Sequence, residues 1–264
     1  MKSKFNFVLA LIIALSACTK VPITKRKQIN MLPESTLISM SLTEYHDFLQ
    51  QHPAVMTSAD ANTVKNVGAR IQAAVTQYMN QNGYASRIQG YKWEFNLVNS
   101  AEVNAWCMPG GKVVVYSGLL PVTLDETSLA IVMGHEIAHA VARHGNERMS
   151  QMMVAAGLGM GLDIALSQKS TQTRSIFMAA YGVGAGLGTL AYSRLHESEA
   201  DKLGLVFAAM AGYDPQKAIP FWERMAAKGG SKPPEILSTH PSDATRIADL
   251  KAFMPQAMKY YHPN

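Results

Sequence analysis

The stretch VMGHEIAHAVARHG, residues 132–145, sets two histidines four positions apart in an apolar run. On a helix turning about 100° per residue, His135 and His139 lie roughly 40° apart on one face, one turn apart, and can hold a single ion. Glu136 points about 100° around from His135, within reach of a water on that ion without being a ligand. A catalytic zinc takes three protein ligands and keeps one position open. The motif is therefore incomplete, and a third ligand has to lie elsewhere.

The flanks make this stretch helical. Thr123 with Glu126 three residues later has the form of a capping box, and Leu129, Val132, Ile137 and Val141 carry an apolar stripe through to Gly145. Upstream, Val64, Val67, Ile71, Val75, Tyr78 and Met79 recur at helical spacing between Ser58 and Asn82. Strand character appears in YKWEFNLVNS (91–100) and VNAWCMPGGKVVVYSG (103–118), where PGG divides two extended runs as a hairpin turn does. Helical patterns resume over 196–211, 215–228 and 242 onward. Two Gly- and Ala-rich apolar runs between 150 and 193 fall short of a clean twenty-residue span, and Asp163 interrupts the first. They read as a helical hairpin packed over the domain. The expected fold is mainly α, an α+β arrangement with a small sheet.

The third ligand is sought in HESEADKLG, residues 196–204. His144 is set aside because it lies about 180° from His135 around the helix. Taken as a helix, Glu197, Ala200, Asp201, Gly204 and Ala208 share one face, while Glu199 points roughly 160° from its centre. The small residues let this helix approach another closely enough for Glu197 to touch the metal. Asp201, one turn on, can accept the ring N–H of a ligand histidine. His196 and Glu199 read as solvated or locally paired.

The N-terminus, MKSKFNFVLALIIALSAC, places Lys2 and Lys4 before an apolar run and ends in small residues and a cysteine. LSAC resembles the bacterial lipobox, with ordinary secretion as the alternative. The expectation is a leader over 1–17, a lipid on Cys18, a tether over 18–33 and one domain over 34–264. Thr19 after the cysteine favours an outer membrane lipoprotein facing the periplasm. Removing Lys2 and Lys4 leaves only three excess basic charges, and no basic stripe argues for nucleic acid. With Cys18 lipidated, Cys107 has no disulfide partner and reads as a buried free thiol.

With HEIAH at 135–139 and E-x-x-A-D at 197–201 in place, the chain resembles the gluzincin-type zinc metallopeptidases related to the CAAX prenyl protease and HtpX. Among these it is most similar to the LoiP-like envelope lipoproteins. The resemblance covers about residue 35 to the C-terminus. It implies one zinc per chain, an edge strand beside the HExxH helix, and substrate contacts at Asn104 and Ala105. It also places His240, in LSTHPSDATRIADL (237–250), facing the active site. There it either stabilises the oxyanion or occupies the open zinc position as a latency ligand, unless it only caps the turn before Pro241. Arg246 either orients the acids or makes a salt bridge. Together these features lead to an expected zinc endopeptidase in which Glu136 is the general base, acting on damaged or misassembled envelope proteins. An envelope assembly or chaperone lipoprotein with a zinc site is the alternative.

Overall fold

The computed structural model describes residues 18–155, 171–181, 192–227, 236, 240 and 244–263. Its first correction falls on the expected tether. Strands β1 (Cys18–Lys20) and β2 (Lys27–Ile29) pair antiparallel, with Cys18 opposite Ile29. Val21 in the connecting turn is buried in the main core. Arg87 donates to the Lys20 carbonyl at 2.7 Å and to Gln28 Oε1 at 2.9 Å. Arg26 reaches the carboxylates of Glu147 and Glu199. The stretch read as a tether thus includes a basic residue that meets carboxylates far along the chain, and apolar periodicity does not register such partners.

Helices α1 (Glu34–Gln51) and α2 (Ala59–Gln81) follow. Ser58 caps α2 by accepting the Ala61 N–H at 2.9 Å. Strands β3 (Glu94–Val98), β4 (Ala105–Met108) and β5 (Lys112–Tyr116) form a sheet of order β3-β5-β4. The β4–β5 pair is the anticipated hairpin, turned by Gly110 and Gly111 at φ 85° and 81°. β3 runs parallel to β5. Every residue of β5 is buried because both faces are covered. Val113 and Val115 join the main core with α2, whereas Val114, Trp106 and Tyr116 pack with Leu37, Met40 and Tyr45 of α1.

After a short α3 (Leu120–Thr123) comes the motif helix α4 (Glu126–Ala142). Its N-cap is Asp125, whose carboxylate accepts the Ser128 N–H at 2.7 Å, and not Thr123. The helix also stops before Gly145. Arg143 adopts φ 62°, ψ 33°, and α5 (His144–Ala155) starts in a new direction. α6 (Thr171–Tyr181) packs on α5, and the rest of the hairpin expected over 150–193 lies outside the described residues. α7 (Arg194–Met210), α8 (Ala218–Ala227) and α9 (Ala244–Ala257) complete the domain. Among the described residues no helix is long and apolar enough to cross a membrane.

β4 packs beside α4, and α7 crosses α4 at two glycines. A Cβ on Gly204 would lie 2.8 Å from the His135 backbone nitrogen, and one on Gly134 would lie 3.0 Å from the Gly204 carbonyl oxygen. The backbones touch where the motif histidines begin. Gly204→Ala should therefore force the helices apart and destabilise the fold by about 1–3 kcal/mol in urea unfolding.

Acid should loosen the hairpin's docking. Burial alone would raise Glu147 and Glu199, but hydrogen bonds from Arg26 and His196 to the first, and from His144 and Arg26 to the second, hold both carboxyls near about 2. Because these values are depressed, the stability they confer is complete above the unfolded-chain value of about 4.3 and is lost as pH falls through about 2. Urea midpoints should drop over that window, and by less in Arg26→Gln.

Candidate metal centre

The crossing of α4 and α7 brings four donors together. His135 Nε2 and His139 Nε2 lie 3.1 Å apart, as the one-turn spacing requires. Glu197 Oε1 is 3.3 Å from His139 Nε2, and its Oε2 is 3.5 Å from His135 Nε2. His240 Nδ1 is 3.2 Å from His135 Nε2 and 2.9 Å from Glu197 Oε1. All four residues are buried, and one ligand atom of each falls within 4.8 Å of the others.

Asp201 sits one turn after Glu197 and behind the cluster, with Oδ1 2.9 Å from His135 Nδ1. Arg246 clamps Asp201 with two hydrogen bonds, at 2.8 and 2.7 Å, and approaches Glu197 Oε2 at 3.3 Å. Its guanidinium lies 3.5 Å over the Trp222 ring. Glu136 is buried, with Oε1 3.5 Å from His240 Nε2 and without a hydrogen-bond partner. Tyr192 stacks on His240 at 5.3 Å between ring centroids and lies 4.1 Å from the His139 ring. No sequence signal singled out Trp222 or Tyr192, because a lone aromatic in an apolar stretch reads as core.

The arrangement asks for a cation. Asp201 takes the Nδ1 proton of His135, so its Nε2 presents a lone pair to the neighbouring imidazole nitrogens. Nitrogen lone pairs about 3 Å apart repel unless a positive charge lies among them. Burial would lower His135, but hydrogen bonds to Asp201 and Glu197 outweigh it and lift the imidazole to about 9, so that without a metal a proton supplies the positive charge among these nitrogens. Burial drives His139 well below its ordinary value. Glu197 is held well below the usual carboxylate range, because His240, His135 and His139 overcome its burial. Its Oε2 has no hydrogen-bond partner. For bonds of about 2.0–2.1 Å, tetrahedral zinc ligands lie about 3.4 Å from one another, and imidazoles with a carboxylate are a zinc donor set. The residues fit a metal of this kind.

The neighbours of the cluster are held within the fold. His196 and Glu199, read as solvated or locally paired, are paired and buried, at 4% and 1% exposure. They face α5 rather than solvent: His196 Nε2 meets Glu147 at 3.1 Å, and Glu199 Oε2 meets His144 Nε2 at 3.1 Å. A helical wheel gives direction within one helix and cannot show what a second helix lays over it. His144 remains outside the donor set, but its Nδ1 lies 3.0 Å from His139 Nδ1. Asn104 and Ala105 are buried at the start of β4, where Asn104 Oδ1 accepts the Ala105 N–H at 2.9 Å. Cys107 is a buried free thiol, raised well above its ordinary pKa by burial.

A mainly helical domain with a small sheet, and an HExxH helix crossed by a second helix bearing a glutamate, defines a zincin-type metallopeptidase. A family model described as peptidase family M48 matches residues 66–254. The mitochondrial metalloendopeptidase OMA1 of Saccharomyces cerevisiae is 34% identical over 184 residues, covering 67% of this chain and 51% of that protein. Metalloendopeptidase OMA1 of Bos taurus is 31% identical over 247 residues, covering 90% of this chain and 46% of that protein. The beta-barrel assembly-enhancing protease of Escherichia coli K12 is 34% identical over 186 residues, covering 67% of this chain and 38% of that protein. The chain belongs to peptidase family M48. It spans about half or less of the length of these three relatives.

Asp201→Asn should weaken zinc binding about ten- to a hundredfold in chelator competition while leaving the fold intact, as loss of a partner behind a ligand histidine does.

Proposed function

We propose that the chain is a zinc-dependent endopeptidase held closed by its own His240. The observation that carries the chemistry is Glu136 Oε1, buried and unpartnered beside the four-donor cluster. His135, His139 and Glu197 hold the metal in this reading. When bound, zinc acidifies water and polarises the scissile carbonyl. Glu136 takes a proton from the attacking water and returns it to the leaving amine. Burial raises its carboxyl, against the pull of His240 and His135, which suits a group that must both accept and release a proton.

His240 supports the latency reading over the oxyanion one. Its Nδ1 points into the donor cluster, where a fourth protein ligand fills the position that substrate needs. The same short turn touches the chain just before β4. The Ile236 N–H donates to the Val103 carbonyl at 3.3 Å, and the His240 N–H donates to the Ile236 carbonyl at 2.9 Å. Substrate backbone adding as a further strand at Asn104 and Ala105 competes with this turn and draws His240 away. Arg246 keeps Asp201, and through it His135, in place.

The substrates in this reading are damaged or misassembled proteins of a bacterial envelope, with the enzyme anchored at the outer membrane through a lipid on Cys18. The leader-like start of the sequence supports that location, as does similarity to a protease named for beta-barrel assembly, while the mitochondrial relatives are equally similar.

Zinc-loaded protein should degrade an unfolded β-barrel precursor, and Glu136→Gln should slow this by about a hundredfold or more. Equal rates in the two proteins would sink the enzymatic reading in favour of an assembly role. His240→Ala should raise the rate several-fold; a fall in rate with zinc retained would return His240 to oxyanion stabilisation.

A further inference from the structure

The N-terminal hairpin is wired to the metal cluster by a chain of polar contacts that the proposed chemistry does not use. Arg26 sits between two buried carboxylates. It donates from Nη1 and Nη2 to Glu147 at 2.7 Å each, and from Nε and Nη2 to Glu199 at 2.9 Å each. Thr24 Oγ1 adds a hydrogen bond to Glu199 Oε1 at 2.7 Å. Glu199 Oε2 meets His144 Nε2, and His144 Nδ1 meets His139 Nδ1. His196, held by Glu147, stacks on the His144 ring at 4.6 Å and fixes its plane.

The proton positions along this chain follow from its far end. A carboxylate only accepts, so the proton of His144 lies on Nε2 and its Nδ1 is an acceptor. His139 Nδ1 must then donate, which leaves His139 Nε2 with its lone pair turned toward His135 and Glu197. Glu199 orients the chain only while it is itself oriented, and Arg26 with Thr24 saturates both of its oxygens. His135 obtains the same tautomer directly from Asp201. The two histidines of the motif are therefore prepared by separate devices, one of which begins on the hairpin.

We propose that Arg26 is a positioning residue for the metal centre, acting on His139 through Glu199 and His144, so that docking of the N-terminal hairpin sets the affinity for the metal. This rests on the reading of His139 as a metal ligand.

The test uses full-length protein in detergent, zinc as the probe and chelator competition as the readout, with thermal unfolding of the zinc-stripped protein measured alongside. Arg26→Gln should bind zinc about tenfold more weakly, the lower end of what loss of a direct partner produces. That loss should disappear when His144 is already Phe, because the chain is then cut downstream of Arg26. A hairpin that only braces the fold gives the same loss in both backgrounds, and that additivity overturns the proposal. Zinc affinity within twofold of the unaltered protein in Arg26→Gln overturns it as well. If Arg26→Gln does not fold, Glu199→Gln reads the same link from inside the domain, with the same expected loss and the same overturning result. His139→Ala separates this proposal from its premise: zinc retained there removes the ligand assignment itself, whereas zinc lost there but unaffected by Arg26→Gln removes only the role of the hairpin.

Discussion

The contact between α4 and α7 at Gly134 and Gly204 is the constraint from which the centre follows. The two backbones meet without side chains between them. Glutamate is too short to reach from an ordinary helix separation of 8–10 Å to a histidine-bound ion and keep its geometry. With the backbones in contact, Glu197 and Asp201, one turn apart, fall on opposite sides of the His135 ring. One carboxylate faces its Nε2 and the other its Nδ1. A single crossing thus supplies a carboxylate for each nitrogen of one imidazole.

Burial of so many ionisable groups would be ruinous if any were left alone, since an uncompensated charge in such surroundings costs several kcal/mol. Arg246 shows how the domain avoids this. It is buried, yet it forks onto Asp201, lies near Glu197 and rests on Trp222. Glu136 and Glu197, the two carboxylates that border the cation position, each keep an oxygen without a hydrogen-bond partner. A metal and a substrate would relieve both.

What could be read from the sequence tracks what is local. HEIAH and HESEADKLG each carry their meaning within one helix, so the faces of His135, His139, Glu197 and Asp201 were legible from residue spacing. The PGG turn and its flanking strands were legible for the same reason. Arg143 was not: its left-handed backbone ends α4 one turn early, and no glycine marks the place. The tether reading failed because Arg26 finds its partners 121 and 173 residues away. The partners of His196 and Glu199 were hidden likewise, since a wheel drawn for α7 contains nothing of α5 or the hairpin. Trp222 and Tyr192 matter through the rings and cations they face, which single-residue patterns do not encode.

The parts of the centre also have an order in time. His135, His139 and Glu197 sit on neighbouring helices, but the arginines that brace their surroundings are far apart in the chain, Arg26 in the first hairpin and Arg246 on α9. Contacts spanning such separations require long loops to close and form late in folding. A partly folded chain therefore holds the HExxH helix before it holds a prepared pair of histidines. The surroundings of the two motif histidines are thus completed only when both ends of the described chain have docked.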